Sequence, residues 1–143
     1  MNDLKYIYMD HAATTPVDTR VAEAMAPYAS EAFANPATLY APGRRNDEVV
    51  EAARAFVAKS INASTEEIYF TSGGTESDNW AVKGVAWANE KKGRHIITSA
   101  IEHHAVLEPC EWLEKRGWDV TVLPVSPTGM VDVDDLRKAI RKD

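Results

Sequence analysis

The stretch Tyr69-Phe70-Thr71-Ser72-Gly73-Gly74-Thr75-Glu76-Ser77-Asp78-Asn79 joins an apolar run to the start of a helix. The apolar residues end before Thr71, two glycines follow, and Thr75 opens an acidic first helical turn. The first N–H groups of a helix have no intrahelical partner, and the helix dipole places partial positive charge there. Glycines allow close backbone approach and Thr75 adds a hydroxyl donor. The pattern therefore predicts an anion site over Gly73, Gly74 and Thr75.

The same pattern is equally typical of a capped helix that follows a glycine turn and binds nothing. It matches neither GxxxxGK[ST] nor GxGxxG, so the common nucleotide-binding motifs are absent from this stretch. Other parts of the chain have to decide between the two interpretations.

Composition excludes several classes of protein. The chain has 143 residues, a net charge of −6, 45% hydrophobic and 27% charged residues, which favours a soluble globular domain, or a piece of a larger one. The negative charge argues against nucleic-acid partners. One cysteine excludes an internal disulfide framework. Because no run of about 18 apolar residues and no signal-peptide pattern occurs, we expect no membrane partner and a cytoplasmic location.

Hydrophobic spacing predicts helices and strands that alternate after an all-helical first part. The early elements are a helix over Pro16–Ser30, a loop over Phe33–Gly43 and a helix over Arg44–Ile61. Three strand–helix units follow, with strands over Ile68–Phe70, His95–Ser99 and Asp119–Val125. Their helices are predicted over Thr75–Lys91 (with much of its circumference buried), over Ala105–Lys115 (with Pro109 near the first turn) and after Asp132 as the cap.

Strands that alternate with helices indicate an α/β fold with a parallel sheet and right-handed crossovers. Parallel sheets are covered on both faces and need several strands, so three strands make an incomplete sheet. The chain ends at Asp143 directly after a helix, where another strand is expected. We therefore expect the first part of a larger domain.

The carboxyl ends of the three expected strands are followed by Thr75, by Glu102-His103-His104 and by Ser126. Ligands of open α/β sheets bind beyond these strand ends. A neutral imidazole there can stack on a flat ring or move a proton near neutral pH, although a plain surface histidine pair has the same sequence. No further His or Cys has ligand spacing, so we expect no metal.

Four motifs together resemble one family. They are Asp10–Pro16, Asn35–Gly43, Phe70–Asn79, and His95–Ser99 continued through Glu102-His103. In this order and spacing the chain resembles the N-terminal part of the pyridoxal-phosphate-dependent cysteine desulfurases, in the class V aminotransferase group. The resemblance covers essentially all 143 residues.

The resemblance implies the N-terminal part of the large domain of a fold-type-I pyridoxal-phosphate (PLP) transferase. Residues 1–15 would be an arm, and residues 16–143 the first part of the cofactor-binding large domain. By the same resemblance Gly74 and Thr75 hold the cofactor phosphate, and His103 stacks on the pyridine ring and helps to move protons. His104 falls on a position that the family does not fix.

The family's reaction takes sulfur from L-cysteine and leaves alanine and a protein persulfide, for iron–sulfur cluster assembly or other sulfur transfer. The implied partners are L-cysteine, a C-terminal complement of the same enzyme, a second copy in a homodimer, and a sulfur-acceptor protein.

The chain departs from the family pattern at Tyr40, where a histidine is common, and at Ala34, where a glycine is common. The family's cofactor-binding lysine and catalytic cysteine lie further along than residue 143, and Cys110 has the setting of a packing residue. We therefore expect this chain alone to be inactive. A non-catalytic binding or assembly module and a sister class V enzyme, such as a selenocysteine lyase, remain alternatives.

Overall fold

A computed structural model of the protein describes residues 7–142, in two compact units that divide between Tyr69 and Phe70. Residues 1–6 of the expected arm lie outside the described residues, and the expected boundary after residue 15 stays a prediction. The first unit holds α1 (Thr19–Ser30), α2 (Ala41–Ser60) and a short 3₁₀ helix (Thr65–Glu67). The second holds α3 (Gly74–Asn89), β1 (His95–Ser99), α4 (His104–Glu114), β2 (Asp119–Leu123) and α5 (Val133–Ala139).

Both helices of the first unit begin at a residue that local chemistry selects. The Asp18 carboxylate accepts from the Arg20 N–H at 2.9 Å and caps α1, so the helix begins three residues after the predicted Pro16. Helix α2 begins at Ala41, before the predicted Arg44, because Pro42 is tolerated in a first turn that needs no proline N–H.

A turn over residues 35–38 packs against the start of α2. The Thr38 N–H and hydroxyl both donate to the Asn35 carbonyl, at 3.1 and 2.7 Å. The Asn46 amide of α2 donates to the carbonyls of Ala32 and Ala34, at 2.7 and 2.6 Å. Gly43 is buried where the turn meets the helix. This loop is therefore held by side chains and by close backbone contact.

The predicted strand over Ile68–Phe70 is wrong. Ile68 has extended backbone angles, but its carbonyl accepts from the Arg54 guanidinium at 2.6 Å. A strand needs a ladder partner, and no strand within residues 7–142 pairs with this segment. This segment therefore forms no strand within residues 7–142.

The sheet of the second unit consists of β1 and β2, which pair in parallel from His95 opposite Asp119 to Ser99 opposite Leu123. The predicted parallel strand–helix arrangement and the bounds of β1 are confirmed. Strand β2 ends two residues before the predicted Val125, because Val125 forms an isolated antiparallel bridge with Val131 around a tight turn. Asp132 caps α5 as predicted, accepting from the Asp134 N–H at 2.8 Å.

The core of the second unit lies between α4 and the sheet. Its buried residues are Ala105, Pro109, Cys110, Leu113, Trp118 and Leu123. Pro109 lies in the second turn of α4, beyond the first turn where we expected it, and is fully buried there. No helix within residues 7–142 is long and apolar enough to cross a membrane.

The prediction that α3 is buried on much of its circumference is wrong. None of its residues is buried, and Trp80 and Trp87 keep 54% and 50% of their surface exposed. Ala81 and Val85 line a cavity of about 450 Å³ together with Ile96 of β1, so one side of α3 faces the sheet. Trp87 contacts the Trp112 ring of α4 on another side and still stays half exposed, so α3 is covered only in part by residues 7–142.

We expect Gly43→Ala to destabilise the first unit. A Cβ at Gly43 would lie 2.7 and 2.8 Å from the carbonyl oxygens of Asn35 and Thr38, and closer still to the Thr38 hydroxyl. Overpacking against backbone costs about 1–3 kcal/mol. Urea unfolding of the chain measures the loss.

Gly84→Ala is the matched control, because its Cβ would meet only the Trp80 ring, at 3.5 Å in ordinary contact. Since Ala exceeds Gly in helix propensity by up to about 1 kcal/mol, this variant should be neutral or more stable. A Gly43→Ala variant as stable as Gly84→Ala would contradict the assigned packing.

Candidate functional site

The N-terminus of α3 presents free backbone donors to open space. Gly73 is the N-cap and has extended angles, and the first helical bond is Ser77 N–H to the Gly73 carbonyl at 3.2 Å. Within residues 7–142 no group accepts from the N–H of Gly74, Thr75 or Glu76 or bonds the Thr75 hydroxyl. A Cβ on Gly73 or Gly74 would meet no atom within 4 Å. The site can therefore receive an anion at van der Waals contact with the backbone.

The acidic side chain of Glu76 at this helix start is held by hydrogen bonds to Ser72, which precedes the two glycines. One Glu76 carboxylate oxygen accepts from both the N–H and the hydroxyl of Ser72, each at 2.7 Å. These bonds, the hydroxyl first and the backbone second, lower the pKa of Glu76, so the carboxylate stays ionised at neutral pH. It supports the helix dipole and satisfies the turn before the helix.

Helices α3 and α4 point their N-termini to the same edge of the second unit. The rings of Trp87 and Trp112, which lie in the last turns of the two helices, contact edge to face at 5.6 Å. Asn89 at the end of α3 lines a cavity with His95 at the start of β1. The start of α3 and the start of α4 thus both lie toward the carboxyl end of β1, where ligands of α/β sheets bind.

His103 stands at this edge as the N-cap of α4. A tight turn leads to it from β1, in which the Ser99 hydroxyl donates to the Glu102 carboxylate at 2.9 Å. The His103 Nδ1 accepts from the Ala105 N–H at 3.0 Å, and the residue is exposed. No described residue bonds its Nε2. The exposed ring is therefore oriented by one bond while its second nitrogen faces no partner in this part of the chain.

The other candidates have different surroundings. The His104 ring lies 6.3 Å from the His103 ring at an angle of 67°. No group of three or more His, Cys, Asp or Glu side chains within residues 7–142 could hold a metal ion. Cys110 is 2% exposed, and burial raises the pKa of its thiol, so it is a packing residue and not an activated nucleophile.

Two features were missed in the sequence. One is the capping role of His103, because histidine is not among the usual N-cap residues. The other is a cluster in which the Lys83 ammonium and the Arg116 guanidinium lie over the Trp112 ring, at 4.8 and 3.5 Å from its centroid. The four-residue spacing of Trp112, in the last turn of α4, and Arg116, just after that helix, was a signal that could have indicated the second.

The chain matches the family model "Aminotransferase class-V" over residues 7–143. It belongs to the class-V aminotransferase family. The cysteine desulfurase IscS of Methanosarcina thermophila is 57% identical over 97% of this chain and 34% of that protein. The IscS of Dictyoglomus turgidum is 56% identical over 96% of this chain and 35% of that protein. The chain thus spans about a third of the length of the curated relatives it matches.

Solved structures agree with this assignment. A NifS-like protein superposes with a TM-score of 0.91 at 42% identity, over 96% of this chain and 38% of that one. A structure described as SspA in complex with cysteine gives 0.87 at 40% identity, over 94% of this chain and 39% of that one. The fold is therefore part of the fold of the PLP-dependent cysteine desulfurases, as the sequence predicted.

This class-V family depends on pyridoxal phosphate, and the α3 start fits the phosphate of that cofactor. The free N–H groups and the open space beside Gly73 and Gly74 suit a phosphate, which helix N-termini bind through their N–H groups and dipole. The residues present therefore fit the cofactor, with Gly74 and Thr75 as its phosphate-binding candidates.

Proposed function

We propose that this chain is the part of a cysteine desulfurase that binds the cofactor phosphate and covers the cofactor ring. The observation that carries the proposal is the α3 start, where the free N–H groups of Gly74, Thr75 and Glu76 adjoin the open space beside Gly73 and Gly74. The IscS relatives, identical at more than half of the aligned positions, support the same activity.

In this proposal Gly74 and Thr75 hold the phosphate through backbone N–H groups and the Thr75 hydroxyl. His103 covers the pyridine ring, which it reaches from the start of α4 at the same edge of the unit. Bound PLP supplies an electron sink for reactions at the substrate α-carbon. This chain's residues contribute binding, orientation and a ring nitrogen that exchanges a proton.

The complete reaction in this proposal takes sulfur from L-cysteine, gives alanine and leaves a persulfide on a protein thiol. Cys110 does not serve as that thiol, because it is buried and its pKa is raised. The lysine and the reactive cysteine come from a C-terminal complement, and the enzyme works as a homodimer with a sulfur-acceptor protein, in the cytoplasm. Residues 1–15 form an arm, and residues 16–143 belong to the cofactor-binding domain.

We expect Thr75→Ala to weaken cofactor binding by about 1.5–3 kcal/mol, the range for a hydrogen bond to a charged group. Gly74→Val should weaken it further, because its side chain fills the space left for the phosphate. Neither change disturbs a packed contact, since a Cβ on Gly74 meets nothing within 4 Å and Thr75 is exposed. Titration of the chain together with its C-terminal complement, with PLP as ligand, measures the affinity.

Pyridoxal without phosphate is the control ligand, and Thr65→Ala, a threonine of the first unit, is the control variant. The losses should appear with pyridoxal phosphate and be absent with pyridoxal. Equal PLP affinity of Thr75→Ala, Gly74→Val and the parent would show that the phosphate does not bind at this position.

We expect His103→Ala to lower single-turnover desulfuration by about 10²–10⁴-fold, the usual size of a general acid–base contribution, with a smaller effect on PLP affinity. His104→Ala is the matched control and should lose much less, because its ring is not held by the α4 cap. Rates are measured on the assembled enzyme with L-cysteine. A larger loss at His104 would assign the role to the other histidine.

Residues 1–143 alone should give no sulfide or alanine from L-cysteine and PLP. The family's cofactor-binding lysine is not at a matching position here, and the only cysteine is buried. The exposed apolar side chains of α3 should also make the isolated chain self-associate in sedimentation, and mixing with the complement should reverse this. Turnover by the isolated chain would contradict the proposal, and a monomeric chain that turns nothing over even with the complement would favour a binding module.

A further inference from the structure

The bond between His103 and Ala105 decides which nitrogen of the ring carries the proton. A backbone N–H can only donate, so the His103 Nδ1, 3.0 Å from the Ala105 nitrogen, has to be the acceptor. A neutral imidazole has one acceptor and one donor nitrogen. Since Nδ1 accepts, the proton of the neutral ring lies on Nε2.

We propose that the first turn of α4 holds His103 as the Nε2–H tautomer, so that the ring presents a hydrogen-bond donor to its ligand. A proton that the neutral ring takes up must then arrive at Nδ1, and the α4 cap breaks as it arrives, because both nitrogens have become donors. Proton uptake by His103 and opening of the α4 N-terminus are therefore one event. The inference deepens the proposed function. It depends on that function only for the identity of the ligand.

The bond to Ala105 is the one hydrogen bond that the His103 ring makes within residues 7–142. The Glu102 carboxylate is engaged by the Ser99 hydroxyl at 2.9 Å, and the nearest ring is that of His104, at 6.3 Å between centroids. At the other end of β1, His95 meets the Thr121 hydroxyl, which can donate or accept and so leaves the tautomer of His95 open. Only the His103 nitrogen faces an obligate donor in this way among the described histidines.

Nitrogen-15 NMR of the full chain at alkaline pH, where imidazoles are neutral, tests the tautomer directly. The four histidines are assigned with single His→Gln variants. His103 should give one pyridine-type signal at Nδ1 and one pyrrole-type signal at Nε2. His104, whose ring makes no hydrogen bond within residues 7–142, should give exchange-averaged signals. A pyrrole-type Nδ1 at His103, or averaged signals like those of His104, would overturn the inference.

Hydrogen exchange of the Ala105 amide gives a second measurement that also works on associated protein. His103→Asn keeps an N-cap acceptor and should leave the protection of Ala105 close to the parent value. His103→Ala removes the acceptor and should speed exchange about fivefold, as expected for the loss of one N-cap. Equal exchange in both variants would show that the ring does not cap α4.

Neither measurement needs pyridoxal phosphate, so the outcome separates from that of the proposed function. If PLP fails to bind while His103 is the Nε2–H tautomer, the proposed function is wrong and the capping inference stands. If PLP binds tightly while the His103 ring gives exchange-averaged nitrogen signals, the capping inference is wrong and the proposed function stands.

Discussion

The parallel pairing of β1 with β2 is the constraint on which the second unit depends. Parallel strands need a crossover, and here the crossover is α4, whose buried side packs against the pair. Because α3 runs alongside α4 in the same direction, both helices begin at the carboxyl end of β1. The free N–H groups at the start of α3 and His103 at the start of α4 therefore lie at one edge of the unit. Their position follows from the helices that carry them and not from a contact between them.

Local chemistry was enough to predict much of this unit. The bounds of β1 and the cap at Asp132 depend on residues close in sequence, and the parallel arrangement follows from the alternation of strands and helices, so pattern alone predicts them. The anion site expected over Gly73, Gly74 and Thr75 was inferred from a glycine turn before a helix, and the structure leaves that helix start open. Its occupation by a phosphate and the ring-covering role of His103 stay proposals.

What failed depends on partners that a local pattern does not contain. Ile68–Phe70 has strand composition, yet its Ile68 carbonyl bonds Arg54, fourteen residues earlier in the chain. The apolar stripes of α3 predict burial, but burial needs a covering surface, and residues 7–142 supply only part of one. The His103 cap was missed because residue preferences describe the commonest caps, whereas any side-chain acceptor in the correct place can serve.

The Trp112 indole, which has the Lys83 ammonium and the Arg116 guanidinium over its ring, is an intrinsic fluorescent probe of the second unit. Lys83 belongs to α3, and Arg116 follows α4, so the environment of this indole changes when the two helices separate. Trp80, more than half exposed, reports mainly on solvent. Because the chain has four tryptophans, fluorescence of variants that keep only Trp112 or only Trp80 would distinguish a change in how α3 meets α4 from a change in what covers α3.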